Sequence, residues 1–218
     1  MNKYCMKLIK FIDSALHELK TASDTLKINF GYQLLKAQLG ELPLTTESIS
    51  EFGNDNLIEF RDSFAGEIQD AVYALTTDST IYILHYFSKK MIDSFLDLKP
   101  TIDLINDRIK VIGNNEVKSS GNIFADIDLP NAEEIFLKAQ LSYKIDQEIK
   151  KRSLTQAKAA KLLEIPQPRI SQIINGKFQD ISEFKLMRCL NKLGYNVNIE
   201  VSFSNNELGT ISMLYDER

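Results

Sequence analysis

The sequence predicts an α+β protein: a small antiparallel-sheet domain, then an all-α helix-turn-helix domain with a short C-terminal β extension. Three observations lead there. Strand-like apolar runs fall largely in the first half, where they mix with amphipathic helical stretches. The stretch "GNNEVKSSGN" (113–122), rich in Gly, Asn and Ser, separates that half from one dominated by helical periodicity. Charge changes sign as well. Residues 1–112 hold 12 Lys and Arg against 16 Asp and Glu, whereas 138–192 hold 12 against 5, a net of +7.

Each element has its own signal. "MKLIKFI" (6–12) reads as a strand, and 13–40 as one or two amphipathic helices. Leu26, Phe30, Leu34 and Leu35 share a face there, with Gly40 suited to a C-terminal cap. "NLIEFRD" (56–62), "EIQDAVYAL" (67–75) and "STIYILHYF" (79–87) have strand character, and "TTDST" turns the last two into a hairpin. A helix over 100–111 closes the region, giving the order β-α-α-β-β-β-α. Beyond the boundary come helices over 131–152, 155–163, 167–175 and 180–193, then strand-like "YNVNIEVSF" (195–203) and "TISMLY" (210–215). The chain thus divides into a domain over 1–111, a linker over 112–122 and a domain over 123–218.

Composition bounds the function. A chain of 218 residues with 44% hydrophobic content and a net charge of −4 is ordinary for a soluble globular protein. Lys7 and Asp13 interrupt any N-terminal apolar segment, and the run from Ser79 to Ser88 is far too short to span a bilayer. A cytoplasmic location without a membrane partner is expected. Cys5 and Cys189 lie at opposite ends with no CxxC, so they form either a structural disulfide or free thiols suited to a reducing cytosol. Two histidines, His17 and His85, cannot build a metal cluster, and neither metal nor cofactor is expected.

The basic block holds the most specific motif, "LTQAKAAKLLEIPQPRISQIINGK" (154–177). Thr155 can cap a helix whose inward face is Ala159, Ala160 and Leu163. Glu164-Ile165-Pro166 makes the turn, Pro168 falls in the first turn of the next helix, and Gly176 suits its left-handed end. With Ile170 and Ile173 pinned inward, Gln167, Arg169, Ser171 and Gln172 remain on the rim. Gln and Arg can make paired hydrogen bonds to adenine and guanine edges in a major groove. Gln156, Asn175 and Lys177 are placed for phosphates. The competing reading is a two-helix packing motif with a solvated polar face.

Residues 120–201 resemble Xre/Cro-type antitoxins of the HigA kind, through "NIFADIDLP", "LTQAKAAKLL", "IPQPRIS" and "FKLMRCLNKLGYNV". Lys158 stands where that family often has Glu, so the usual capping box is missing. The resemblance implies operator binding as a homodimer and neutralisation of a partner toxin. The front half, through "FGYQLLKAQLGELP" (30–43), "EFRD" (59–62) and "TIYILHYFSKK" (80–90), is similar to HigB toxins of the RelE superfamily. That resemblance implies metal-free cleavage of ribosome-bound mRNA by basic side chains on a sheet, so ribosome or mRNA would be the partner of residues 1–111.

Carried over by position, the catalytic candidates are Arg61, His85, Lys89 and Lys90. His85 reads equally well as a core histidine and Lys89-Lys90 as a solvated pair, while Tyr82 and Phe87 read as core. Two departures bear on activity: Glu59 and Asp70 stand where the family tends to have Arg. An acid about 5 Å from a phosphate contributes roughly 3 kcal/mol of repulsion at an effective dielectric of about 20. A fused toxin–antitoxin chain with a silenced or degenerate mRNA-interferase domain is therefore expected. The rivals are a plain repressor with an inert front domain and an active ribosome-dependent ribonuclease.

Overall fold

The computed structural model describes residues 6–41, 46–48, 56–64, 67–88, 99–204, 209–211 and 213. The elements run β1 (Leu8–Ile12), α1 (Ala15–Lys20), α2 (Asp24–Gln38), β2 (Thr46–Ser48), β3 (Leu57–Phe64), β4 (Glu67–Thr76) and β5 (Thr80–Ser88). They continue with α3 (Lys99–Lys110), β6 (Glu116–Lys118), α4 (Ile123–Asp126), α5 (Ala132–Lys151), α6 (Gln156–Leu163), α7 (Gln167–Ile174) and α8 (Glu183–Lys192). The α+β class holds. The chain forms two compact units, Met1–Pro130 and Asn131–Arg218.

One sheet organises the first unit, in the order β2-β3-β4-β5-β1-β6. The three long strands pair antiparallel, and β1 inserts parallel to β5. Ser23 starts α2 by accepting the Leu26 N–H at 3.4 Å. This helix packs on one sheet face, where the Phe30 and Tyr86 rings meet edge to face. The opposite face carries Leu57, Ala71, Tyr73 and Leu84, which form a core with Ile105 of α3.

Register irregularities decide which side chains share a face. A bulge between Tyr73 and Ala74 shifts β4 against β5 by one residue, and another follows Asp62. Moreover, β1 pairs with β5 only as far as Ile83, so from Leu84 onward that edge of β5 has no strand partner among the described residues. Side chains replace it: Glu18 accepts the Tyr86 N–H at 3.3 Å, and Arg108 donates to the Leu84 carbonyl at 2.7 Å.

Two expectations need correction. The stretch 112–122, expected as a linker, carries β6, whose residues Glu116, Val117 and Lys118 pair with Ile12, Phe11 and Lys10. The short helix α4 follows it inside the first unit. The C-terminal β extension is not formed over 195–203, and the described residues within 210–215 are not strand either. Ile199, Val201 and Phe203 are 78%, 91% and 105% exposed. Alternation gives a strand two usable faces, but an isolated strand leaves its backbone groups without partners, and no described edge is offered to this one.

The second unit is built on α5, with α7 and α8 packed against it. Ile145, Ile149, Leu163, Ile170, Ile173, Phe178, Leu186 and Leu190 are buried here. No helix among the described residues is long and apolar enough to cross a membrane.

Candidate functional sites

The helix-turn-helix assembles from local signals. Thr155 Oγ1 accepts the Lys158 N–H at 3.2 Å and starts α6. Glu164 ends it in the left-handed region at φ 53°, and the Ile165 N–H returns to the Ala160 carbonyl at 3.1 Å. Pro166 precedes α7 and Pro168 lies in its first turn, where the missing N–H is harmless. Gly176, at φ 75°, takes the conformation that a side chain would resist. Ala159, Leu163, Ile170 and Ile173 are buried as expected, and Ala160 is half-buried.

The seven DNA candidates are not equivalent. Gln167 Nε2 donates to Gln156 Oε1 at 2.7 Å, tying the start of α7 to the start of α6. Asn175 Nδ2 turns back to Ser171, donating to its carbonyl at 2.9 Å and its hydroxyl at 3.3 Å. Arg169, Gln172 and Lys177 make no side-chain hydrogen bond among the described residues, and Lys177 is exposed. Three long donors on and just beyond one short helix thus remain unengaged.

Two of the first unit's candidates, Arg61 and His85, are engaged. Arg61 lies on β3 with its Nε bonded to Glu59, a residue only 4% exposed. Opposite them, Tyr73 pairs with Glu59 in register and stacks on His85 with ring centroids 6.3 Å apart. Burial, and then the Glu59 carboxylate, push the Tyr73 hydroxyl up, keeping it a donor. His85 Nδ1 lies 2.7 Å from Glu18 Oε2. Arg108 Nη2 lies 2.5 Å from Glu18 Oε1 and donates to Ser14 Oγ at 2.6 Å. Burial pushes the Glu18 carboxyl up, but hydrogen bonds from His85, Arg108 and Ser14 outweigh it and hold the group well below the usual carboxylate range. Lys89 and Lys90 lie outside the described residues.

Asp70 does not belong to this cluster. Strand alternation puts it on the opposite face from Ala71 and Tyr73, and it accepts the Tyr86 hydroxyl at 2.7 Å in the interior. The expectation that Glu59 and Asp70 confront one phosphate together is therefore incorrect. Sequence reasoning also missed Glu18 and Arg108, separated by 90 residues; their charges were visible, their meeting was not.

A helix-turn-helix unit with free basic and amide donors on its second helix is the architecture of DNA-binding transcription regulators. Residues 123–202 match the family model described as "Helix-turn-helix domain", and residues 17–110 match "Phage derived protein Gp49-like (DUF891)". The chain thus carries a helix-turn-helix domain and a Gp49-like domain. A solved chain described as an XRE family transcriptional regulator is 34% identical over 40% of this chain and 100% of its own, with a TM-score of 0.38. No curated protein matches the chain.

Proposed function

We propose that this protein is a single-chain toxin–antitoxin protein whose HigA-like back half binds operator DNA and represses its own promoter. Its HigB-like front half is kept silent. The observation that carries the DNA-binding reading is the trio Arg169, Gln172 and Lys177, unengaged within a locally basic unit. Arg169 and Gln172 read base edges from α7, together with Gln167 and Ser171. Lys177, Gln156 and Asn175 hold phosphates and fix the helix in the groove. The protein acts as a homodimer in the cytoplasm, so its target is an inverted repeat with half-sites about 34–36 Å apart, or a multiple of that spacing. Footprinting on its own promoter tests this, and protection of a single asymmetric half-site refutes it.

Silence of the front half has a specific support. Arg61, the cation placed for a phosphate, is bonded to buried Glu59, and His85 is bonded to Glu18. Two of the four candidate groups for mRNA cleavage are thus committed to carboxylates, and Lys89 and Lys90 lie outside the described residues. Ribosome-bound mRNA is the substrate class only if those carboxylates release Arg61 and His85. Expression of the full chain should not arrest growth, and expression of residues 1–130 should arrest it weakly or not at all. Glu59→Gln, which removes the carboxylate charge paired with Arg61, should increase arrest by residues 1–130, and Arg61→Ala should abolish the increase. Strong arrest by the unmodified fragment refutes silencing by these pairs.

A further inference from the structure

The helix-turn-helix family match begins at residue 123, yet the first compact unit extends to Pro130. Residues 123–130 thus have helix-turn-helix family sequence but are lodged in the Gp49-like unit. Their seating is tight. Ile123, Phe124 and Ile127 are buried, Phe124 completely. A Cβ placed on Gly31 of α2 would lie 2.5 Å from Phe124 Cε1 and 2.8 Å from its Cδ1, so the bare glycine is the socket for that ring. Gly31 falls within the Gp49-like match, so each family's sequence contributes one half of the contact.

The strand just upstream docks with it. β6 extends the β1 edge antiparallel, the Ser119 N–H donates to the Ile9 carbonyl at 3.0 Å, and Lys10 Nζ lies 2.5 Å from Glu116 Oε2. Asp126 joins the two pieces by accepting the Ser119 hydroxyl and the Ser120 N–H, and Asn122 caps α4 through the Phe124 and Ala125 N–H groups. Edge-strand addition combined with an aromatic knob in a preformed socket is a mode of peptide recognition, with ladder bonds giving affinity and the pocket giving selectivity.

We infer that Glu116–Leu129 is a separable docking element, for which the β1 edge and the Gly31 socket form the recognition surface. This contact keeps the back half on the front half even when the chain is cut between them. It deepens the proposed function by naming the segment through which one half holds the other. Cleavage in the exposed turn 113–115 therefore does not release the front half.

The test uses the full chain with a protease recognition sequence inserted between Asn114 and Asn115, cut after purification. The two fragments should co-elute at micromolar concentration by size exclusion, and Phe124→Ala should weaken their association at least about 100-fold, the scale set by truncating a buried phenylalanine. Separation of the unmodified fragments overturns the inference, as does unchanged association with Phe124→Ala. Should Phe124→Ala unfold the first unit, a size-complementation pair decides: Gly31→Ala weakens association by crowding the ring, and adding Phe124→Leu restores it. Failure of Phe124→Leu to restore it overturns the socket. Association is the only readout, so the outcome is independent of DNA binding and toxicity.

Discussion

Replacing Arg108 with Met keeps the alkyl stem and removes the guanidinium that organises the β5 edge. Arg108 is 4% exposed and meets Glu18 at 2.5 Å, Ser14 at 2.6 Å and the Leu84 carbonyl at 2.7 Å. Removing one member of a buried ion pair costs about 3–5 kcal/mol. The Glu18 side chain retains 22% exposure and keeps His85 as a partner, which lowers the expected cost to about 2–3 kcal/mol. The Tyr86 amide, bonded to Glu18, is the local reporter. Its hydrogen-exchange protection, followed by mass spectrometry on the 80–88 segment, should fall about 30- to 150-fold, at 1.4 kcal/mol per tenfold.

The same variant has a pH signature. The folded Glu18 carboxyl titrates below its ordinary value of 4.5, so the unfolded chain takes up that proton first as pH falls. The network's contribution is present above about pH 4.5 and is lost as pH falls from there toward the folded value. Arg108→Met should flatten that loss, and Glu18→Gln should remove most of it. A double-mutant cycle on the two residues should show coupling of about 1–2 kcal/mol. A fall in protection below threefold, or an unaltered acid limb, would refute the view that Arg108 and Glu18 stand in for a missing strand.

Other expectations follow from the remaining geometry. Arg169→Ala should cost about 1–3 kcal/mol on operator DNA and relax preference at one base pair, whereas Lys177→Ala should weaken all sequences alike and reduce the salt slope by about one. Matched salt titrations on specific and scrambled DNA separate the two, and identical behaviour counts against the assigned roles. Asp70→Asn keeps an acceptor for the Tyr86 hydroxyl and should cost less than Asp70→Ala, which removes that acceptor at about 1–3 kcal/mol and leaves the hydroxyl its contact with Ser88. Urea unfolding of the two variants checks the order. Burial pushes the Cys189 thiol up, so it should resist alkylation at pH 8 in the native protein and react on unfolding, as mass spectrometry of its peptide would report.

Much of this was legible because it is local. The α6–turn–α7 motif needs Thr155, Pro168 and Gly176 at fixed spacings and buries residues a turn apart, so neighbouring sequence determines it. The strands β3, β4 and β5 were visible for the same reason, through alternation and the short hairpin "TTDST". Tertiary structure decided what depends on partners distant in sequence. Val117 became strand because the β1 edge was open to it, while Ile199 and Val201, with a better strand pattern, found no described edge and stayed irregular. Glu59 and Asp70 look interchangeable in sequence. Their strands put one beside Arg61 and the other against Tyr86 on the far face, because side-chain direction alternates residue by residue while register is set by bulges that pairing alone reveals. The Gly31 socket is the extreme case, since a missing Cβ acquires meaning only when Phe124, 93 positions later, arrives to fill the space.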